Sequence, residues 1–347
     1  ARAMSVLQVT GNTVPLRARR ARSLIAFAAL IVVIVVLASI HAGIGARPVR
    51  PATLLQAIFA YDASNFEHQI LWKLRLARLA AALLVGAALG VAGLLLQSLL
   101  RNPLGEPHIL GLNAGASLAA VTTSSLPFLA GGLARPLVAA LGAGLLFALV
   151  LALASAGRSG MTMLKVTFCG IALSALASSL TSALLILDEE TLQEMRLWLA
   201  GDLAGIGYDM IGAASAPIVA GMLLAFLIAP RLNALALGDA AATGLGVSVG
   251  STRFIGLAAT ALLCGASVSV AGPIGFIGLI VPHAARWLSG GDLRVALPLS
   301  ALTGSALLLS ADIAARMLSS PHELATGIMT ALIGAPIFII AASRYFR

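Results

Sequence analysis

Few residues in this chain could do chemistry, and most of them sit in the wrong setting for it. Gly246-Val-Ser-Val-Gly250 fits the G-x-S-x-G pattern of serine hydrolases, and Gly157-Arg-Ser-Gly160 fits the G-x-S-G of an intramembrane protease. A hydrolase serine needs a strand–turn–helix elbow, yet both serines fall in short loops between apolar runs. His322-Glu323 lacks the second histidine that H-E-x-x-H needs to put two metal-binding nitrogens on one helix face. A P-loop requires Gly-Lys followed by Ser or Thr; the only lysines, Lys73 and Lys165, follow Trp72 and Leu164. Cys169 and Cys264 lie inside apolar runs and read as small packing residues. His68 and His322 read as polar helix-end residues. The chain is expected to be no enzyme and to bind neither metal nor cofactor.

The elements that carry these residues must live in lipid. Of 347 residues, 60% are hydrophobic and only 10% charged, with a mean hydropathy of +1.02. A soluble domain carries about 25% charged residues. The 35 glycines, with abundant alanine, suit helices that must approach closely in hydrocarbon, where water no longer drives association. A net charge of +9 could suggest nucleic acid. The basic residues, however, stand singly between apolar runs, apart from Arg17, Arg19, Arg20 and Arg22 before the first run. That cluster is the cytoplasmic flank of a membrane helix, and no nucleic-acid partner is expected.

A spanning helix needs about 20 mostly apolar residues. Ten segments qualify: 24–44, 73–99, 108–126, 136–156, 165–187, 211–229, 253–272, 274–289, 293–315 and 324–342. The third and eighth are short and are expected to be broken or re-entrant. The first resembles a signal peptide but is longer than a usual signal core, and it reads as a retained helix. With alternating crossings, 14 basic residues fall on the side of the N-terminus and 8 on the other, which puts both termini in the cytoplasm. The acidic cluster Asp188, Glu189, Glu190 and Glu194 then lies outside.

Ala82–Gly93 (ALLVGAALGVAG) and Ala261–Gly272 (ALLCGASVSVAG) match at eight of twelve positions, at an offset of 261 − 82 = 179. Five crossings separate them, so the copies run in opposite directions, as inverted repeats do in many transporters. In the fifth segment Gly170, Ser174, Ser178 and Ser182 recur every four residues and share one face. Such a stripe can line a route for solute or make a close helix–helix seam. Four loops are patterned beyond simple connection. Arg101–Gly115 (RNPLGEPHILGLNAG) reads as a fixed turn at the cytoplasmic edge. Leu237–Gly246 (LGDAAATGLG) reads as a short helix outside the bilayer, capped by Asp239 and ended by Gly244 and Gly246. Ala271–His283 (AGPIGFIGLIVPH) reads as a helix break at the membrane surface, and His322–Gly327 (HELATG) opens the last helix.

Taken together, these four stretches resemble the FecCD-type permeases of bacterial ABC importers for ferric siderophores, haem and cobalamin. The likeness covers nearly the whole chain. It implies an all-α, polytopic fold of about ten transmembrane helices with inverted repeats. It also implies a single permease domain over 1–347, with a cytoplasmic segment at 1–22 and a coupling loop at 230–252. The implied partners are a second copy of the chain, two ABC ATPase subunits that use the ATP, and a periplasmic binding protein. The setting is the bacterial inner membrane. In the resemblance Gly238, Asp239, Ala240, Ala241, Ala242, Thr243, Gly244, Leu245 and Gly246 form the coupling helix in the ATPase groove. Arg75, Arg78 and Arg316 match arginines that grip glutamates of the binding protein, a task suited to a planar guanidinium. Ala77 stands where proline is common, and Asp202, in Trp198–Ala204, where serine or glycine is common. The resemblance favours the solute route for the Gly170–Ser182 stripe. Haem is the expected cargo, with ferric siderophore next and cobalamin as the alternative. A stand-alone secondary transporter would need acidic residues at mid-membrane, and Asp312, near a helix end, is the one acid placed within a helix.

Overall fold

A segment in hydrocarbon has no water to satisfy its peptide groups, so it must bond within itself. The computed structural model shows the consequence: fourteen α-helices and no strand among the described residues. All residues are described except 1–15, 45–50, 104, 127, 129–134, 157–161, 319–322 and 346–347. The helices are α1 (Leu16–Gly43), α2 (Pro51–Phe59), α3 (Phe66–Ile70), α4 (Ala77–Leu100), α5 (Leu112–Ser125), α6 (Arg135–Ser155) and α7 (Met163–Leu187). They continue with α8 (Glu189–Leu199), α9 (Tyr208–Leu235), α10 (Asp239–Gly244), α11 (Val249–Ala271), α12 (Ile277–Ser289), α13 (Leu293–Leu318) and α14 (Thr326–Tyr345). One π-helical stretch, Leu71–Leu76, joins α3 to α4.

Every one of the ten apolar segments is helical. Among the described residues, seven helices are long and apolar enough to cross a membrane: α1, the α3–α4 unit, α6, α7, α9, α11 and α13. With 14 and 13 residues, α5 and α12 fall short of a bilayer at about 1.5 Å rise per residue. They are the third and eighth segments, which the sequence marks as short.

Helix α4 is the centre of the bundle, packed on α11, α12 and α13. Glycines make this possible. A Cβ on Gly86 would lie 2.5 Å from the Gly304 carbonyl oxygen, and one on Gly90 2.5 Å from that of Ser300. At Gly93 a Cβ would overlap the backbone of Gly278. The repeated dodecapeptides therefore lie on neighbouring, antiparallel helices. Arg101, after α4, and Arg253, the fifth residue of α11, meet at Asp239. At the opposite end Arg78 of α4 and Ala271 of α11 both lie beside Asp202.

Several boundaries and placements differ from the sequence reading. Helices α9 and α11 reach further than expected, so the loop at 230–252 shrinks to residues 236–248, despite Pro230 inside α9. Helix α1 begins at Leu16, so the last seven residues of what reads as the terminal segment 1–22 are helical. The two patterned turns do not stay at the surface but run inward. The chain leaves α11 with Gly272 against Trp198, but Gly278 already touches Gly93, 93 − 77 = 16 residues into α4. Residues 272–276 thus descend into the protein, and α12 returns towards the α10 end. Glu106 arrives at the same place from the other loop: its Oε1 accepts the Phe276 N–H at 2.6 Å. Gln97 donates to the Gly278 and Leu279 carbonyls, and Arg286 donates to Gln97 Oε1 at 2.7 Å. The reason is backbone accounting. A helix that starts inside the bundle exposes orphan N–H groups, and Glu106 supplies an acceptor that no water could.

Gly86→Val should lower stability by about 1–3 kcal/mol, the cost of overpacking a full core. Gly144→Ala should be neutral, since nothing lies within 4 Å of its added Cβ. Thermal melting of the two variants in detergent checks this, and equal melting points would refute the glycine argument.

Candidate functional site

Charged residues inside an apolar bundle need partners, and at the end carrying α8 they find them in one another. Asp312 of α13 is fully buried. Its carboxylate accepts from Arg78 Nε at 2.9 Å and Nη2 at 2.8 Å, and from Thr326 Oγ1 at 2.7 Å. His41 Nε2 lies 2.8 Å from Asp312 Oδ2. Arg78 also donates to Glu323 Oε2 at 2.5 Å and stands 3.9 Å from Asp202. Arg316 donates to the carbonyls of His41 and Ile44, with its Nε 3.8 Å from Glu323. Arg75 donates to the carbonyls of Ala42 and Gly43 at 2.8 and 3.0 Å. Arg75 and Arg316 thus satisfy C-terminal carbonyls of α1, the usual place for a cation. One network ties α1, α4, α13 and the start of α14.

The three arginines singled out by sequence are therefore brought together, but they are 6–7% exposed and engaged within the chain. They do not stand as free forks. The π-helical turn sets their register: it inserts just before Ala77, at the position where proline is common in the resemblance. Asp202 borders the network from the loop after α8, and burial pushes its carboxyl up. Its N–H donates to the Ala271 carbonyl at 2.9 Å, and Gly327 N–H donates to the Gly201 carbonyl at 2.7 Å. The α8–α9 loop therefore staples the ends of α11 and α14. His68 is buried, with Nδ1 accepting the Asp62 N–H at 3.1 Å. Ser159 and His322 lie outside the described residues.

The stripe on α7 divides. Gly170 is buried and Ser174 half-buried, with Ser174 Oγ 3.5 Å from where a Cβ of Gly111 would be. Ser178 and Ser182 are exposed on a face shared with Ile171 and Ile186. The stripe is a seam at one end and an open surface at the other.

At the opposite end α10 stands proud of the bundle. Gly238 (φ 110°) and Gly246 (φ 78°) turn the chain on either side of it. Ala242 is buried, whereas Leu237 and Leu245 are 69% and 66% exposed. Asp239 does not cap this helix with its side chain, as the sequence suggests. Gly238 occupies the cap, and the Asp239 carboxylate pairs with Arg101 and Arg253.

Sequence reasoning missed His41, Glu106, Glu323, Arg101 and Arg253. Arginines and acids close to helix ends were the available signal; Arg253 finds Asp239 only 14 positions away, but the partners of His41, Arg101, Glu106 and Glu323 lie 138 to 271 positions away.

A helical bundle with interrupted half-helices and a surface helix defines a multi-pass membrane transport protein. The FecCD transport family model matches residues 29–344, and the chain belongs to that family. It is 37% identical over 324 residues to the ferric enterobactin transport system permease protein FepD of Escherichia coli, covering 93% of this chain and 96% of that one. It is 40% identical over 280 residues to the vitamin B12 import system permease protein BtuC of Vibrio cholerae, covering 80% and 83%. The solved structure of a metal-chelate type ABC transporter in an inward-facing conformation superposes with a TM-score of 0.80. It shares 30% identity and covers 92% of this chain and 98% of that one.

Breaking the buried network should cost more than trimming its rim. Asp312→Asn should destabilise by about 3–5 kcal/mol, because it strands a buried arginine. Glu323→Gln, at a side chain 39% exposed, should cost at most about 1 kcal/mol. Melting temperatures of the purified variants read the difference, and equal losses would show that Asp312 does not hold the network.

Proposed function

We propose that this chain is the membrane permease subunit of a binding-protein-dependent ABC importer for an iron chelate. The observation that carries the reading is the match of nearly the whole fold, at 30% identity, to a metal-chelate type ABC transporter, joined to family membership. Energy comes from a separate ATPase bound at α10, where exposed Leu237 and Leu245 offer apolar contacts beside a clamped carboxylate. The α10 end is then cytoplasmic, as are both termini, and the α8 end faces the periplasm.

Two copies enclose the path. The open face of α7 with Ser178 and Ser182, and the exposed Ile328, Leu332 and Ile339 of α14, present apolar surface broken by hydroxyls. Such a surface passes a bulky solute without trapping it. The binding protein docks over the Arg75–Arg78–Arg316 cluster. Because these arginines are already paired, its carboxylates must compete with Glu323, the most exposed acid of the network.

Ferric siderophore is favoured over haem as cargo. Haem transfer along a path favours an accessible imidazole. Among the histidines whose side chains are described, His41 is fully buried on Asp312, His68 is buried, and His283 Nδ1 lies 2.8 Å from the Leu279 carbonyl of its own helix. FepD is a ferric enterobactin permease by name, and BtuC keeps cobalamin as the alternative.

Proteoliposomes holding the chain, its ATPase and its binding protein should accumulate a radiolabelled ferric siderophore above haem and cyanocobalamin. Accumulation of cobalamin alone would overturn the iron assignment. A Ser178→Cys variant should form a disulfide-linked dimer on mild oxidation; a monomer in the assembled complex would remove the shared path.

A further inference from the structure

The α10 helix has only six residues and is joined to the bundle through Gly238 and Gly246. Linkers with glycine at both ends are soft, so they transmit a push poorly. One side chain bypasses them. Asp239, the first residue of α10, accepts from Arg253 Nη2 at 3.2 Å on Oδ1 and 3.0 Å on Oδ2, and its Oδ1 also pairs with Arg101 Nη2. Arg101 directly follows α4 with a left-handed backbone (φ 49°), an unusual state for a residue with a side chain, and Arg253 is the fifth residue of α11. Helices α4 and α11 are the antiparallel pair that carries the internal repeat. A single carboxylate therefore grips the same end of both repeat helices and the surface helix at once.

Magnitude argues against a role in stability. The Arg101 and Asp239 side chains are 38% and 46% exposed, and that of Arg253 is 17% exposed. Exposed ion pairs add little to folding. What this arrangement does supply is geometry: with the carboxylate held from two directions, α10 cannot rotate or tilt without moving α4 and α11. Helix α4, packed through glycine on α12 and α13, in turn carries Arg78 at its far end, next to Arg75 in the π-helical turn before it.

We propose that Asp239 is the positioning residue that transmits ATPase movement into the bundle, by pinning α10 to the inner ends of both repeat helices through Arg101 and Arg253. This rests on the importer reading above. Disengaging the pin leaves the ATPase docked but lets α10 swing on its glycine hinges, so that hydrolysis is spent without moving the spans.

The test is uptake per ATP hydrolysed in proteoliposomes of the complete complex. Asp239→Asn should lower that ratio by roughly tenfold, within the usual range of coupling between sites, while the ATPase still co-purifies in full stoichiometry. The Arg101→Gln/Arg253→Gln double variant should lose as much, and adding Asp239→Asn to it should cost nothing further, the signature of one shared interaction. Asn233→Ala, which cuts the side-chain hydrogen bonds from α9 to Asp292 and Leu293 at the start of α13 and leaves the Asp239 pairs in place, should leave the ratio intact. An unchanged ratio in Asp239→Asn, additive losses, or loss of the ATPase from the complex would each overturn the proposal. If the single variant does not insert, the double variant decides alone. A Leu245→Cys cross-link to the ATPase separates the two levels. No cross-link in the complex defeats the importer reading, whereas a cross-link with an unchanged ratio defeats the pin only.

Discussion

Helix α4 lies against α12 and α13 at backbone contact because Gly86, Gly90 and Gly93 put no side chain between them. In hydrocarbon, lipid competes equally for any apolar side chain, so association depends on close packing. That single contact arranges much else. It places Gly278 beside Gly93, which fixes where the descending segment 272–276 must end. It sets α13 at the distance from which Asp312 reaches Arg78. It also makes α4 a stiff strut, with an arginine cluster at one end and Arg101 at the other.

The polar interior obeys the same accounting. A buried carboxylate or guanidinium persists only if its hydrogen-bonding capacity is met. Asp312 meets it with an arginine, a histidine and a threonine from three other segments. Glu106 performs the same service for backbone, closing the start of α12. These groups stitch the elements where the helices are interrupted, at the loop ends and the half-helix starts. Coupled movement is expected there, because uninterrupted helices packed through glycine resist bending.

Much of this was legible in the sequence. Apolar length located the helical segments, seven of them long enough to span among the described residues, the shortness of two others marked the half-helices, and the loop motifs carried the family. The depth of the turns was not legible. Pro103, Gly105, Pro273 and Gly275 announce a break in helix but say nothing about which way the chain then travels; that depends on Gly93 accepting Gly278. Nor were the partners of the arginines. Arg75, Arg78 and Arg316 stand out by type and position, whereas their burial arises from His41, Asp312 and Glu323, brought in from distant parts of the chain. The stripe on α7 was found by its period, but which half opens outward is set by α5 and α6.

The account treats this chain as a passive path that moves only when a separate ATPase drives it. The direct measurement is chelate uptake into proteoliposomes with and without the ATPase subunits, at fixed proton and sodium gradients. Uptake should require both the ATPase and hydrolysable ATP, and should be insensitive to collapsing the gradients. Gradient-driven uptake by this chain alone would contradict the account and make it a secondary transporter.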